Sequence, residues 1–206
     1  MAGAKAVIRH QVFLSDASHP IYLGDDGGVG EWSARLAMSI TDADADDAIS
    51  ALSRNLAALR SKVLVTGDRA MTAAAYVPKP ETAEIACAVG FELTPISVAG
   101  SANEFQNSLN GKAARRTLDS RFRANRTWDR SVDAELLVGS HSLISLRDVA
   151  SDEEHIEART VFAAYPPDAV DMVQFIFSTD DLGAFGDMAD ETEKLVATSK
   201  RELVPA

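Results

Sequence analysis

The sequence of 206 residues contains a single cysteine, Cys87, and aromatic residues make up only 6% of it. One cysteine cannot form a disulfide framework within the chain. No run of about 18 apolar residues occurs, which excludes a membrane-spanning helix. The first ten residues also lack the long apolar core of a secretory signal. Together with the lone cysteine, this predicts a cytoplasmic protein.

Positive charge is scarce, since 31 acidic side chains outnumber 20 basic ones and give a formal net charge of −11. This balance argues against a general binder of polyanions. The charge is nevertheless uneven. Residues 112–130 carry 7 basic and 2 acidic side chains, whereas residues 131–206 carry 5 basic and 16 acidic ones. We call residues 112–130 the basic strip, and it marks the plainest internal boundary of the sequence.

Hydrophobic periodicity predicts an α+β fold, with a mostly antiparallel sheet of about six or seven strands packed with two or three helices. The clearest helix carries Ile49, Leu52, Leu56, Leu59 and Val63 on one face. Further helices are predicted over 101–114 and from 179 onward, the last with a buried stripe from Leu182 to Val196. Strands are predicted at 7–14, 32–40, 62–66, 71–77, 84–89, 91–98, 134–146, 155–164 and 170–177.

The segment 32–40 fits two patterns. Its apolar residues alternate with Ser33, Arg35, Ala37 and Ser39, which favours a strand. Trp32, Leu36 and Ile40 also recur every four residues, as on one face of a helix. We predict a strand here.

The chain is predicted to be a single α+β domain over residues 1–206. A second interpretation divides it into two similar halves, 1–100 and 131–206, joined by a basic connector at 101–130. It depends on an internal echo, in which a strand, a Thr-Asp pair, an amphipathic helix and a Ser-Lys pair occur twice. Ordinary capping at strand-to-helix junctions explains the same echo.

Signals for catalysis or metal binding are weak, and no catalytic residue, metal ligand or cofactor is assigned. The four histidines form no H-x-x-x-H array. Residues 42–46 begin like a calcium loop but lack its glycine and its terminal glutamate. His141 lies between two serines, but neighbours on a strand face opposite sides of the sheet. An enzyme assembled from scattered residues would draw on Asp25, Asp26, His141 and His155.

The basic strip supplies the candidate binding residues, because arginines there interleave with aromatic rings. Such a pattern suits phosphate contacts with base stacking on a single-stranded nucleic acid. The favoured interpretation is a solvated connector that contacts the acidic parts of this protein or of a second subunit. The candidate residues are Arg121, Phe122, Arg123, Arg126, Trp128 and Arg130.

Two segments resemble PsbP-like proteins. The run Asp171-Met-Val-Gln-Phe-Ile-Phe-Ser-Thr-Asp-Asp-Leu-Gly-Ala-Phe, continued to Leu195, is similar to their last strand and closing helix. Ile21-Tyr-Leu-Gly, then Trp32, then a helix around 52–59, resembles the start of actinobacterial proteins of that group. The resemblance implies an antiparallel sheet flanked by helices and a binding or accessory role near an envelope or a secretion system. It carries no catalytic residues.

We therefore expect a non-enzymatic interaction or accessory protein, linked to an envelope or secretion system by the resemblance alone. Its expected partner is another protein or a second copy of itself. An enzyme with a scattered site and a nucleic-acid binder using residues 112–130 are the alternatives. A pocket with polar groups converging on His141 or His155 would favour the enzyme.

Overall fold

The structure is a computed structural model, and it describes residues 5–11, 16–24, 26–42, 44–66, 72–114, 120–132, 135–147 and 153–205. Its strands are β1 (Lys5–Gln11), β2 (Ser18–Pro20), β3 (Thr72–Tyr76), β4 (Cys87–Pro95), β5 (Ser120–Val132), β6 (Glu135–Arg147), β7 (Glu154–Tyr165), β8 (Asp171–Thr179) and β9 (Lys200–Pro205). Its helices are α1 (Val29–Ile40), α2 (Asp46–Thr66), α3 (Ile96–Ala99), α4 (Ala102–Ala114) and α5 (Met188–Thr198).

Seven of the strands form one antiparallel sheet in the order β2-β3-β4-β8-β7-β6-β5, and β1 pairs with β9 in a separate two-stranded sheet. This confirms the predicted α+β class. The chain divides into two compact units, one made of Met1–Leu14 and Phe91–Ala206, the other of Ser15–Gly90.

The larger unit is built on a meander, in which β5, β6, β7 and β8 pair in sequence order. Successive side chains of a strand point to opposite faces, so the register places alternate residues against different neighbours. Asn110 of α4 contacts Asn125 and Thr127 on one face. Glu193 of α5 contacts Trp128 and Arg130 on the other. The central strands are thus covered by a helix on each side.

The aromatic part of this unit's core lies on the face covered by α5. Phe162, Phe175 and Phe177 are fully buried there, at 0% exposure each. The rings of Phe162 and Phe177 meet edge to face with centroids 6.0 Å apart, which is a favoured aromatic geometry. Fully burying a phenylalanine side chain contributes about 1.5–3 kcal/mol, so these three rings supply much of the stabilisation on this side of the sheet.

The smaller unit packs α1 and α2 with β2 and β3. Leu52 and Leu56 of α2 are completely buried in its core, as the helical spacing predicts. Arg60 is also buried, and its guanidinium donates to the carbonyls of Tyr22 and Gly24 at 3.0 and 2.5 Å. These bonds satisfy a buried charge and hold the loop that leads into α1.

Three secondary-structure predictions are wrong. Residues 32–40 belong to α1, because Ser33 and Ala37, four residues apart, are buried on a helical face while Trp32, Leu36 and Ile40 pack against the core. The alternation was therefore coincidental. Residues 62–66 form the last turn of α2 instead of a strand. In place of the two strands predicted at 84–89 and 91–98, the structure has one strand, β4 (Cys87–Pro95), followed by α3.

The last helix begins later than predicted, at Met188 instead of near Thr179. Asp187 caps it by accepting the Asp190 backbone N–H, so the loop 180–187 stays outside the helix. Leu182, placed in the buried stripe by the sequence, is 52% exposed.

Residues 101–130 are regular structure and not a solvated connector, because α4 and β5 account for most of them. The two echoed segments also differ, since the first begins with helix α1 and the second with strand β8. In the part of the chain that the structure describes, no helix combines the length and apolarity needed to cross a membrane.

Candidate binding site

All six candidate binding residues lie on β5, the last strand in the order of the seven-stranded sheet. Four of them are paired with residues of β6 that alternate along that strand. The pairs are Arg121 with Ser145, Arg126 with His141, Trp128 with Gly139, and Arg130 with Leu137. These four residues therefore share the face of the sheet that α5 covers. Phe122 lies opposite Ile144 and points to the other face.

Arg123 lies at an irregularity in the pairing of β5 with β6. Its guanidinium donates to Ser145 Oγ at 2.9 Å and to Glu154 Oε1 at 2.6 Å. The Ser145 hydroxyl also donates to Glu154. These hydrogen bonds, first that of Ser145 and then that of Arg123, hold the pKa of the Glu154 carboxyl below its usual range. Part of the basic strip is thus committed to the acidic C-terminal region.

Trp128 and Arg130 share a single partner on α5. Trp128 Nε1 donates to Glu193 Oε2 at 2.9 Å, and Arg130 Nη1 lies 2.7 Å from Glu193 Oε1. The Glu193 side chain is only 12% exposed, whereas that of Arg130 is 63% exposed. The indole also meets Phe162 edge to face at 5.9 Å. This arrangement fastens α5 to the sheet and explains why a tryptophan interrupts the arginines.

Unlike Arg123 and Arg130, Arg126 has no carboxylate partner among the described residues. Its guanidinium lies over the Trp128 ring, 5.0 Å from the centroid, in a cation–π contact. The side chain also borders a cleft of about 420 Å³ on the α5 face of the sheet. The cleft is lined by Arg126, His141, Leu143, Ala158, Thr179, Asp181, Leu182, Phe185, Gly186, Asp187, Met188 and Ala189.

His141 of β6 also lines this cleft. Its Nδ1 lies 3.0 Å from Oγ1 of Thr160, which is fully buried. Burial lowers the pKa of His141 and the Arg126 charge acts in the same direction, whereas the Asp187 carboxylate opposes them. The ring is therefore neutral at pH 7, and Nε2 is the nitrogen left for a ligand.

Asp187 reaches the cleft as the N-cap of α5. Oδ1 accepts the Asp190 N–H at 3.0 Å, and this bond lowers the pKa of the Asp187 carboxyl, helped by the charge of Arg126. Glu191 reaches back to the backbone N–H groups of Gly186 and Asp187, at 2.8 and 3.2 Å. These bonds hold the loop and fix the rim of the cleft.

The residues named for a scattered enzyme site do not converge. His155 lies next to Asp180, with Nε2 3.9 Å from Oδ1, and alternation puts it on the face opposite His141. Asp25 and the side chain of Asp26 lie outside the described residues. Ser140 and Ser142 point away from His141, as predicted, and both donate to Asn125 Oδ1. Neither of these two serines is therefore placed to act with the His141 ring.

The sequence did not predict which side chains contact His141, Arg123, Trp128 and Arg130. Thr160, Glu154 and Glu193 come from other strands or from α5, and pairing between distant segments brings them in. Asp187 carried a usable signal, because an aspartate followed by acidic residues and an apolar stripe is typical of a helix start.

Among the described residues, neither Cys87 nor a cluster of metal-ligating side chains provides a second candidate site. Cys87 is 1% exposed, and burial raises the pKa of its thiol. Within the described ranges, no group of three or more histidine, cysteine or acidic side chains is placed to hold a metal ion. The chain matches no protein-family model and no curated protein.

Proposed function

We propose that this protein is a non-enzymatic interaction or accessory protein that binds an acidic, extended segment of a partner along strand β5. The observation that carries the proposal is the exposed edge of this strand. β5 is 13 residues long, and among the described strands it pairs with β6 alone. An unpaired strand edge presents backbone N–H and C=O groups to which another chain can add a strand.

The charges along β5 indicate what kind of segment would bind. Arg126 and Arg130 are exposed and flank Trp128 on one face of the strand. In an added strand, the residues directly opposite them would alternate in the same way, and oppositely charged cross-strand pairs stabilise a sheet. The complementary segment carries two acidic residues four positions apart with an apolar residue midway.

A protein partner is favoured over nucleic acid by the kind of surface that β5 presents. A peptide can add a strand to an unpaired sheet edge through main-chain hydrogen bonds, which a nucleic acid cannot form, and the net charge of −11 opposes a long polyanion. The resemblance of residues 171–195 to PsbP-like proteins also supports an accessory role, and it points to a partner near an envelope or secretion system. The proposal also includes a cytoplasmic location. A free thiol such as that of Cys87 is typical of this reducing compartment.

Binding of short synthetic peptides tests the proposal. A peptide with the core Glu-Thr-Val-Thr-Glu should bind the full chain and slow hydrogen exchange of the β5 amides. Its Gln-Thr-Val-Thr-Gln analogue should bind about 2- to 30-fold more weakly, since each cross-strand charge pair contributes about 0.2–1 kcal/mol. Affinity for the acidic peptide should also fall as salt rises.

Matched variants locate the contact. Arg130→Gln should weaken binding of the acidic peptide. Lys194 is another exposed cation, on α5, and Lys194→Gln should leave the affinity for the peptide unchanged. Equal binding of the acidic and amide peptides, or protection confined to amides outside β5, would show that the edge is not the docking site.

A further inference from the structure

The cleft beside β5 has the size and lining of a small-molecule site. Its volume of about 420 Å³ falls within the range of about 300–1,000 Å³ typical of ligand pockets. Leu143, Ala158, Phe185 and Met188 supply apolar walls from the sheet, the loop and the first turn of α5. Leu182 stands at its rim, more than half exposed. Such a lining suits a ligand with an aliphatic body.

The two basic groups of the cleft, Arg126 and His141, lie on the neighbouring strands β5 and β6. Arg126 and His141 are opposite each other in the β5–β6 register, so their side chains emerge together on the α5 face. His141 Nδ1 is engaged by Thr160, and Nε2 is left as a hydrogen-bonding atom beside a fixed positive charge. A guanidinium and an imidazole at one end of an apolar cavity match a carboxylate.

The two acidic residues in the lining do not cancel this match. Asp181 Oδ1 accepts the Gly183 N–H at 2.8 Å, and Asp187 Oδ1 accepts the Asp190 N–H at 3.0 Å. Both carboxylates are thus turned toward backbone donors of their own loop and helix. Arg126, whose described contact is the Trp128 ring, is the cation left to meet a charge on a ligand.

We propose that this cleft binds a small aliphatic monocarboxylate, with the carboxylate on Arg126 and His141 Nε2 and the chain against Leu143, Phe185 and Met188. The site uses the face of the sheet, whereas peptide docking uses the edge of β5, and Arg126 contributes to both. The residues proposed to contact the ligand come from β5, from β6, from the loop ahead of α5 and from the first turn of α5. The hydrogen bonds of Asp187 and Glu191 hold that loop in place.

Titration of the full chain with octanoate, octanol and octylammonium, followed by calorimetry, tests the assigned chemistry. Octanoate should bind most tightly, octanol more weakly and octylammonium most weakly, because only the first carries a charge that Arg126 can meet. Octanol binding as tightly as octanoate, or no octanoate binding up to millimolar concentration, would overturn the proposal.

Paired variants on β5 separate the site from general surface charge. Arg126→Gln should weaken octanoate by about tenfold or more while leaving octanol unchanged, since a hydrogen bond to a charged group contributes about 1.5–3 kcal/mol. Arg121→Gln removes an exposed arginine of the same strand outside the cleft, and it should leave octanoate binding intact. Equal loss in both variants would contradict a specific Arg126 contact.

Nuclear magnetic resonance of the unaltered chain gives a readout that needs no variant. Octanoate should shift the His141 ring resonances and raise the pKa of that imidazole, because a carboxylate beside it favours the protonated form. Octanoate-induced shifts confined to residues outside the cleft would place the ligand elsewhere and refute the assignment.

Discussion

Trp128 lies directly over the backbone of Gly139, its partner across the β5–β6 pair. A Cβ on residue 139 would stand 2.4 Å from the indole, which is too close for any side chain. Gly139 is therefore required by its neighbour and not by an unusual backbone angle.

Gly139→Ala should destabilise the protein by about 1–3 kcal/mol, as overpacking in a core typically does. Gly111→Ala, in helix α4 with nothing within 4 Å of the added Cβ, should stabilise it by up to about 1 kcal/mol. Urea unfolding measures both changes. A Gly139→Ala protein as stable as the parent would show that the indole can move at no cost.

His141 gives the protein a pH dependence near neutrality. Burial first, and Arg126 next, lower the pKa of this imidazole in the folded state, while Asp187 opposes them. The unfolded imidazole has a pKa of about 6.5, so the unfolded chain binds the proton first as the pH falls. The free energy of unfolding should decrease from about pH 7 downward through the folded pKa.

The check is urea unfolding at pH 7.5 and at pH 5.5. His141→Gln should show a smaller loss of stability over this interval than the parent. His19, whose pKa is also lowered by burial, contributes in the same direction, so His19→Gln with His141→Gln should flatten the profile further. An unchanged slope in both variants would exclude these imidazoles. The carboxyls with lowered pKa values, such as Glu154, act only in more acidic solution.

At the scale of single residues, the sequence predicted which side chains form a group better than it predicted the contacts of each side chain. It drew attention to Arg126, Trp128 and Arg130 as one group, and the register does place them on one face. It gave His141 little weight, because the neighbouring serines offered no partner. The groups that make His141 chemically distinct, Thr160 and Asp187, come from a different strand and a distant cap. A local pattern carries no information on such pairs.

Helix α5 is attached to the sheet through Glu193, which accepts a hydrogen bond from Trp128 and pairs with Arg130. Glu193→Ala would leave the Trp128 N–H without its acceptor in a half-buried place. The expected cost is about 1–3 kcal/mol, the penalty for an unsatisfied buried donor.

Glu193→Gln separates the hydrogen bond from the charge. The amide oxygen can still accept from Trp128, and losing an ion pair with the exposed Arg130 should cost less than about 1 kcal/mol. Thermal or urea unfolding compares the two variants. Equal destabilisation would mean that the charge of Glu193, and not its role as an acceptor, holds the helix.

Among the elements, periodicity succeeded where a helix or strand buries one clear face. The helix around Leu52 and Leu56 and the meander 134–177 were predicted close to their observed bounds. Helix α1 was missed because its sequence fits both periods. Trp32, Leu36 and Ile40 recur at helical spacing and pack against the core, but small residues such as Ser33 and Ala37, which are buried beside them, also alternate with the apolar residues as in a strand. The strand β5 was missed because an edge strand needs little apolar surface, and its arginines resembled a solvated segment.

At the scale of the whole molecule, the two units form a single cooperative domain if they unfold in one transition. Strand β4 runs through the boundary between the two units, so we expect them to unfold together. Cys87 lies in the unit Ser15–Gly90, and Trp128 lies in the other. In a Trp32→Phe background, thiol exposure and indole fluorescence should therefore change at the same urea concentration.

The buried thiol makes this comparison possible. Cys87 is 1% exposed and its pKa is raised by burial, so a disulfide reagent should label it far more slowly in the native chain than in urea. Two separate transitions would contradict the single-domain prediction and assign each unit its own stability.

Strands β1 and β9 bring residues from opposite ends of the sequence into one antiparallel pair, with Lys5 beside Pro205 and Gln11 beside Lys200. During synthesis, β1 precedes the other described strands, and it can pair with β9 only after the chain between them has been made. The meander β5–β8, which lies between them in the sequence, can form during that delay. Since closing so long a loop gains little until the intervening chain is compact, this pair is expected to be the final step of folding.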